Sequence, residues 1–286
     1  GAGALAAFGT PDQQRRWAAP AGRGELILTA ALPEEDGDDP RVPSAGAERV
    51  RGDGEAGGGW LLSGVKTAVF AAPLAALLLV PAATADGAVV FLVAPGDAGV
   101  TMERQQITGG GSAGRVTLRG ARLGDDRVLG DPAAGLGITE WLVAHGTVAL
   151  CALQLGVVER ALELTSAYAR DRVQFGRPIG SFQAVTQRLA DAYIDVEAVR
   201  LTMWQAAWRL AAGLPCATEV ATAKFWAADA GHRVAHTAVH VHGGVGIDMD
   251  YPLHRYFTAA KRAEFALGGA TSQLRRIGAA LARDPA

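Results

Sequence analysis

The feature that most restricts what this chain can become is a change of texture at Gly135. Beyond it, "ITEWLVAHGTVALCALQLGVVERALELTSAYARDR" runs on with few breakers. A second apolar period then places Val185, Leu189, Tyr193, Val196, Val199, Met203 and Leu210 three and four apart. That spacing predicts an amphipathic helix from near Ser181. A third helix, "ATEVATAKFWAADAGHRVAHTAVHVH", should stop at Gly243-Gly244, because glycine ends helices without steric cost. A short helix and a last one over 271–283 close the chain. Before Gly135 the pattern is β: "ELILTAAL", "GWLLSGVKTAVF", "AALLLVPA", "AVVFLVAP", "GVTMERQQI" and "RVTLRGARL" are short runs split by Gly, Pro and Asp. The expected architecture is α+β and multidomain, with an antiparallel β-barrel or sandwich followed by an up-down helical bundle. Residues 1–24 form a short capped helix (Thr10-Pro11-Asp12), 25–134 the β domain and 135–286 the bundle. The acidic, then Gly-rich segment 34–59 is expected to be a long mobile loop.

Charge excludes some partners. Lys plus Arg is 27 against 29 Asp plus Glu, so no global field points to nucleic acid or to a membrane surface. The apolar run 68–83 is broken by Pro73 and Pro81 and is too short to span a bilayer. Two cysteines, Cys151 and Cys216, cannot build a disulfide framework and read as free thiols. A cytoplasmic protein without a membrane span is expected.

Three stretches concentrate chemistry. His232, His236 and His240 share one helical face, but imidazoles in a row along a helix splay apart and no carboxylate stands near in sequence, so no metal site is assigned. "HGGVG" (242–246) follows a helix rather than a strand, which fails the context of a dinucleotide-binding loop. It remains a tight turn that another backbone or a phosphate can approach. "RDRVQFGRPIGSFQ" (170–183) gathers Arg170, Arg172 and Arg177 beside Phe175 and Phe182. This is either a solvated helix connection or an anion clamp with an aromatic platform, since guanidinium forks match phosphate geometry.

Together these stretches resemble the acyl-CoA dehydrogenase family. "YARDRVQFGRPIGSFQAVTQRLADAYIDVEAVR" resembles its central signature, "VHVHGGVGIDMDYPLHRYF" its second, "GGATSQLRRI" the segment before the last helix, and "GWLLSGVKTAVF" a strand of its β domain. The resemblance covers nearly the whole chain. It implies an N-terminal helical domain of which only a remnant stands here, a β-barrel and a C-terminal bundle. It also implies FAD shared between subunits, an acyl-CoA substrate, and α,β-desaturation with a glutamate as base. For the half that serves a neighbour's FAD, it implies cofactor-binding roles for Arg172, Phe175, Gln183, His240, Gly243, Gly244, Thr271 and Gln273.

The half that would serve the chain's own flavin departs from the pattern. Pro33 stands where a flavin-contacting threonine is expected. The family's phosphate-meeting serine position falls in an acidic run, Asp36, Asp38 and Asp39, whose charge would repel a phosphate, and Ala68 and Phe70 replace Trp and Thr. The commonest base position falls on Gly269, and the alternative on the first bundle helix falls on Gly146. Glu264 is a displaced candidate. The resemblance is most specific to heteromeric actinobacterial enzymes acting on steroid side-chain thioesters. The expectation is a subunit without its own base that completes a partner's FAD site. The alternatives are a conventional homotetramer using Glu264, or a flavin-free scaffold.

Overall fold

The computed structural model describes residues 1–37, 39–50 and 58–283. The chain divides into two compact units, Gly1–Val143 and Ala144–Ala286.

The first unit opens with short helices α1 (Ala2–Phe8), α2 (Pro11–Gln13) and α3 (Ala19–Gly22). Thr10 caps α2 as its sequence predicts, with Gln13 closing the reciprocal box. Seven strands follow: β1 (Leu28–Ala30), β2 (Gly46–Val50), β3 (Gly59–Phe70), β4 (Leu77–Thr84), β5 (Gly87–Val93), β6 (Val100–Gln105) and β7 (Ala113–Gly124). They form one sheet in the order β1-β4-β2-β3-β7-β6, with β5 on the other edge of β4. The sheet is mixed rather than wholly antiparallel, because β1 and β2 both run parallel to β4. Among the described residues β5 and β6 do not pair, so it is a half-barrel and not a closed one. Residues Leu77 to Ala82 are buried on both faces, which explains the continuous apolar run there. Pro81 is tolerated because its missing N–H falls between the pairings of Leu79 with β1 and Ala83 with β2. Trp60, Leu62, Val80, Phe91, Val116 and Leu118 fill the core.

The segment 34–59 is not simply a mobile loop. It contains β2, and Glu34 is fixed by the fully buried Lys66 at 2.6 Å, by Ser44 and by the Ala45 N–H. A carboxylate in a low-dielectric site needs such partners, and alternation alone does not reveal them. Residues 51–57 lie outside the described residues.

The second unit is helical. Helix α4 (Gly135–Asp171) begins in the first unit and ends in the second. A two-residue hairpin, β8 (Val173–Gln174) and β9 (Arg177–Pro178), leads to α5 (Gln183–Ala211), α6 (Ala217–His242), α7 (Leu253–Phe265) and α8 (Ala270–Arg283). Cys151, Leu155 and Val158 of α4 pack with Val196, Val199 and Met203 of α5 and with Ala223, Ala227 and Val234 of α6. Tyr193, assigned to the inner face from its spacing, points outward; Ala192 takes its place in the core. Among the described residues one helical stretch, Pro132–Asp171, is long and apolar enough to cross a membrane.

Candidate functional site

The hairpin between α4 and α5 is built around backbone strain. Phe175 and Gly176 occupy its tip with φ of +53° and +78°, the two positive values of a type I′ turn. Glycine adopts this freely, whereas a phenylalanine there costs about 1 kcal/mol. Phe175 is 92% exposed. Its ring meets Phe182 edge-on at 6.1 Å, and Arg177 covers the Phe182 ring at 4.1 Å. Strain combined with exposure of a large apolar side chain marks a group held for use rather than for packing.

The neighbouring residues are tied to it through Tyr168. Its carbonyl accepts the Arg172 N–H at 2.8 Å. Its ring stacks on His242 at 4.3 Å, and its hydroxyl donates to the His242 carbonyl at 3.5 Å. His242 is buried, with Nδ1 on the Ala238 carbonyl and Nε2 near the Tyr251 hydroxyl; burial pushes its pKa down. The stack therefore pins the end of α4, where Arg172 projects, to the end of α6, where Gly243 and Gly244 follow. Neither the Tyr168–His242 stack nor its role was read from the sequence, although both residues stand inside the two signatures.

Arg172, Gln183, His240, Gly243, Gly244 and Thr271 are all exposed. Gly243 has φ +63°, and a Cβ at either glycine would meet nothing within 4 Å, so a ligand's polar groups can approach the backbone closely. His240 lines an open groove of about 790 Å³ with Arg188, Asp191, His232, Arg233 and His236. Gln273 departs from this group. It is buried, its Nε2 donates to the Leu267 and Gly268 carbonyls at 3.2 Å each, and its Oε1 accepts from Arg276. Its side-chain amide is thus engaged on the turn between α7 and α8, unlike the exposed members of the group.

The two positions at which a base was sought come together. A Cβ on Gly146 would lie 3.5 Å from Leu267 Cδ1, and Leu267 stands two residues before Gly269. What meets there is glycine and leucine, with Leu267 itself in left-handed backbone at φ +56°. Glu264 is directed elsewhere: its carboxylate binds Lys261 at 2.5 Å and His232 at 3.2 Å. His232 and His236 stack at 4.3 Å. Among the described residues no three His, Cys, Asp or Glu side chains converge as metal ligands would.

Lys224 fixes this corner, and sequence reasoning passed over it. It is fully buried, and its Nζ donates to the Ala263 and Glu264 carbonyls at 3.1 and 3.0 Å. These are orphan acceptors at the negative end of α7. Burial pushes its pKa down to about 8, with Cys151 and Glu264 opposing the shift and Arg276 adding to it. The signal was a lysine inside the apolar period Val220, Ala223, Ala227 and Ala230.

In the first unit, Pro33 offers only its carbonyl, taken by the Thr67 N–H at 3.0 Å. Ala68, at φ +48°, donates its N–H to Gln105 Oε1, and Phe70 is exposed. No side-chain hydroxyl stands at these three positions to meet a flavin ring. The acidic run is less negative than it reads, because Glu34 binds Lys66, Glu35 binds Arg115 and Asp39 binds Arg41. Asp38 lies outside the described residues. The residues present thus fit the phosphate-bearing end of a dinucleotide on the second unit, and do not fit a flavin ring on the first.

Comparison with known proteins places this geometry. The model of the acyl-CoA dehydrogenase C-terminal domain matches residues 133–282. The chain belongs to the acyl-CoA dehydrogenase family. It is similar to the acyl-CoA dehydrogenase FadE27 of Mycobacterium tuberculosis, 53% identical across 100% of this chain and 75% of that protein. It is also similar to a chain of the ChsE4-ChsE5 complex from Mycobacterium tuberculosis, at TM-score 0.91 and 54% identity over 100% of this chain and 74% of the other. A variant of the Tcur3481-Tcur3483 steroid ACAD matches at TM-score 0.87 and 40% identity, over 99% and 74%. The family generally uses FAD.

Proposed function

We propose that this chain is a cytoplasmic subunit of a heteromeric, FAD-dependent acyl-CoA dehydrogenase that desaturates a steroid side-chain thioester, and that it completes a partner's FAD site in trans. The observation that carries this reading is the outward-facing Phe175, strained and exposed beside Arg172. A ring held there serves a ligand that another chain brings. The steroid and heteromeric elements rest on the similarity to the Tcur3481-Tcur3483 steroid ACAD and the ChsE4-ChsE5 complex.

FAD supplies the hydride acceptor of the reaction. On this chain, Arg172 provides a charge-assisted contact for the pyrophosphate, and Phe175 a platform beside it. The Gly243-Gly244 turn provides close approach. Gln183, His240 and Thr271 supply donors around the dinucleotide. The α-proton is removed by the partner's base, because Gly146 and Gly269 carry no carboxylate. A homo-oligomer using Glu264 is disfavoured by the hold of Lys261 and His232 on that carboxylate. A flavin-free scaffold is disfavoured by the strain kept at Phe175.

The experiment is to purify the chain alone and co-expressed with an unlike acyl-CoA dehydrogenase subunit, measuring flavin per chain and native mass. The expected result is little flavin alone and one FAD per unlike pair, reduced by Arg172→Ala. One FAD per chain in a homo-oligomer overturns the proposal.

A further inference from the structure

Packing does little to fix the turn between α7 and α8. Phe265, at its start, is 66% exposed, and Leu267 and Gly268 both hold left-handed backbone, at φ +56° and +93°. Gly269 brings no side chain. A turn of this composition has several backbone states open to it. Two buried side chains select one of them. Lys224 of α6 donates to the Ala263 and Glu264 carbonyls at 3.1 and 3.0 Å, where α7 ends. Gln273 of α8 donates to the Leu267 and Gly268 carbonyls at 3.2 Å each, where α8 begins. Thr271 stands in the first turn of α8, just beyond both holds, and is exposed.

Stability alone does not account for a lysine at position 224. Val220, Ala223 and Ala227 of the same helix lie in the apolar core, and replacing a buried ionisable side chain by an apolar one of similar volume is often neutral or stabilising. What a satisfied buried donor adds is a single arrangement of its acceptors. Helix α6 shows what that arrangement serves. His240 follows Lys224 on it, ~24 Å along the axis, and Gly243-Gly244 close its end. One rigid helix thus carries part of the dinucleotide site directly and grips the turn that carries Thr271.

We propose that Lys224 is a positioning residue for the flavin site: it ties the end of α7 to α6 so that Thr271 meets the same dinucleotide as His240 and Gly243-Gly244. The inference rests on the reading of these residues as the trans half of a partner's FAD site, and adds to it a side chain that touches no ligand. Lys224 works through the two carbonyls it binds. With their hold on α6 gone, the glycine-bearing turn is free to carry the Thr271 hydroxyl out of register.

The test is a double-mutant cycle on the complex co-expressed with the unlike subunit, reading the FAD dissociation constant by flavin fluorescence and assembly by native mass. Thr271→Val removes the hydroxyl and should weaken FAD binding ~5–10-fold, the worth of one hydrogen bond. Lys224→Met should weaken it by a similar factor, and the double variant by no more than ~10-fold, because a hydroxyl already displaced has nothing further to lose. Lys224→Gln keeps two N–H donors and should lose less flavin than Lys224→Met, whereas a lysine that only fills space would leave the two alike. If Lys224→Met does not assemble, Lys224→Gln takes its place in the cycle on the same criterion. Losses that multiply to ~25-fold or more, or flavin binding unchanged in Lys224→Met, overturn the proposal. Thr271→Val without effect overturns it together with the role given to Thr271. Failure of the trans-FAD reading is seen separately, in the flavin content of the unaltered complex.

Discussion

Lys224 offers the sharpest test of the corner where the two empty base positions meet. Its folded-state pKa of about 8 lies below the ordinary 10.5, so between those values the unfolded chain holds a proton that the native chain has released. Stability therefore rises with pH across that window, by ~1.4 kcal/mol per unit and about 3 kcal/mol in all. Below about pH 8 both states are protonated and the contribution is flat. The geometry agrees, since a neutral amine has two N–H groups for its two carbonyl acceptors, Ala263 and Glu264. The assay is urea unfolding of the unaltered chain and of Lys224→Met at steps between pH 7 and 10.5. Taking the difference cancels the titration of every group the two proteins share. The unaltered chain should gain on the variant above pH 8. A difference constant throughout would refute the argument, because it would mean that the buried ammonium bears no desolvation cost.

Four further outcomes follow from the same contacts. Gly231→Ala should destabilise by ~1–3 kcal/mol, because its Cβ would fall 1.9 Å from the buried Gln154 Nε2; Gly278→Ala in α8, which meets nothing, should instead gain up to ~1 kcal/mol. Thermal unfolding separates the two signs. Lys66→Met leaves Glu34 buried without its cation and should cost ~3–5 kcal/mol, lowering the melting temperature of the β unit on the order of 10 °C by far-UV circular dichroism. Phe175→Asn suits the left-handed turn and should leave stability equal or higher by up to ~1 kcal/mol, while the complex retains less flavin on dialysis. Gly269→Glu has room, its Cβ lying 3.7 Å from the nearest atom. The variant should fold yet show no acyl-CoA turnover alone, since Pro33, Ala68 and Phe70 remain.

Much of this protein was legible before its contacts were known. Helical and strand periods located α4 to α6 and most strands, because local spacing reports which side of an element is apolar. Motif order carried the family, and motif departures at Pro33, Ala68, Phe70, Gly146 and Gly269 carried the suspicion of a missing base. The direction of β1 was not legible, since a parallel pairing to β4 depends on a long connection rather than on any residue. Neither was the outward placement of Tyr193, because helix α5 has two apolar faces and periodicity cannot tell which one the bundle claims.

By itself the sequence determined which side chains are present: that no carboxylate stands at Gly146 or Gly269, and that Arg172, Phe175, Gly243 and Gly244 do. The tertiary structure decided what those residues meet. It brought Gly146 against Leu267, spent Gln273 and Lys224 on the backbone carbonyls of one corner, matched Glu34, Glu35 and Asp39 with cations, and left Arg172 and Phe175 facing outward. The physical reason is that composition and period are local properties of the chain, whereas hydrogen-bond satisfaction and burial are settled between residues far apart in sequence. A glutamine or lysine therefore reads the same in a motif whether it faces a ligand or closes a turn.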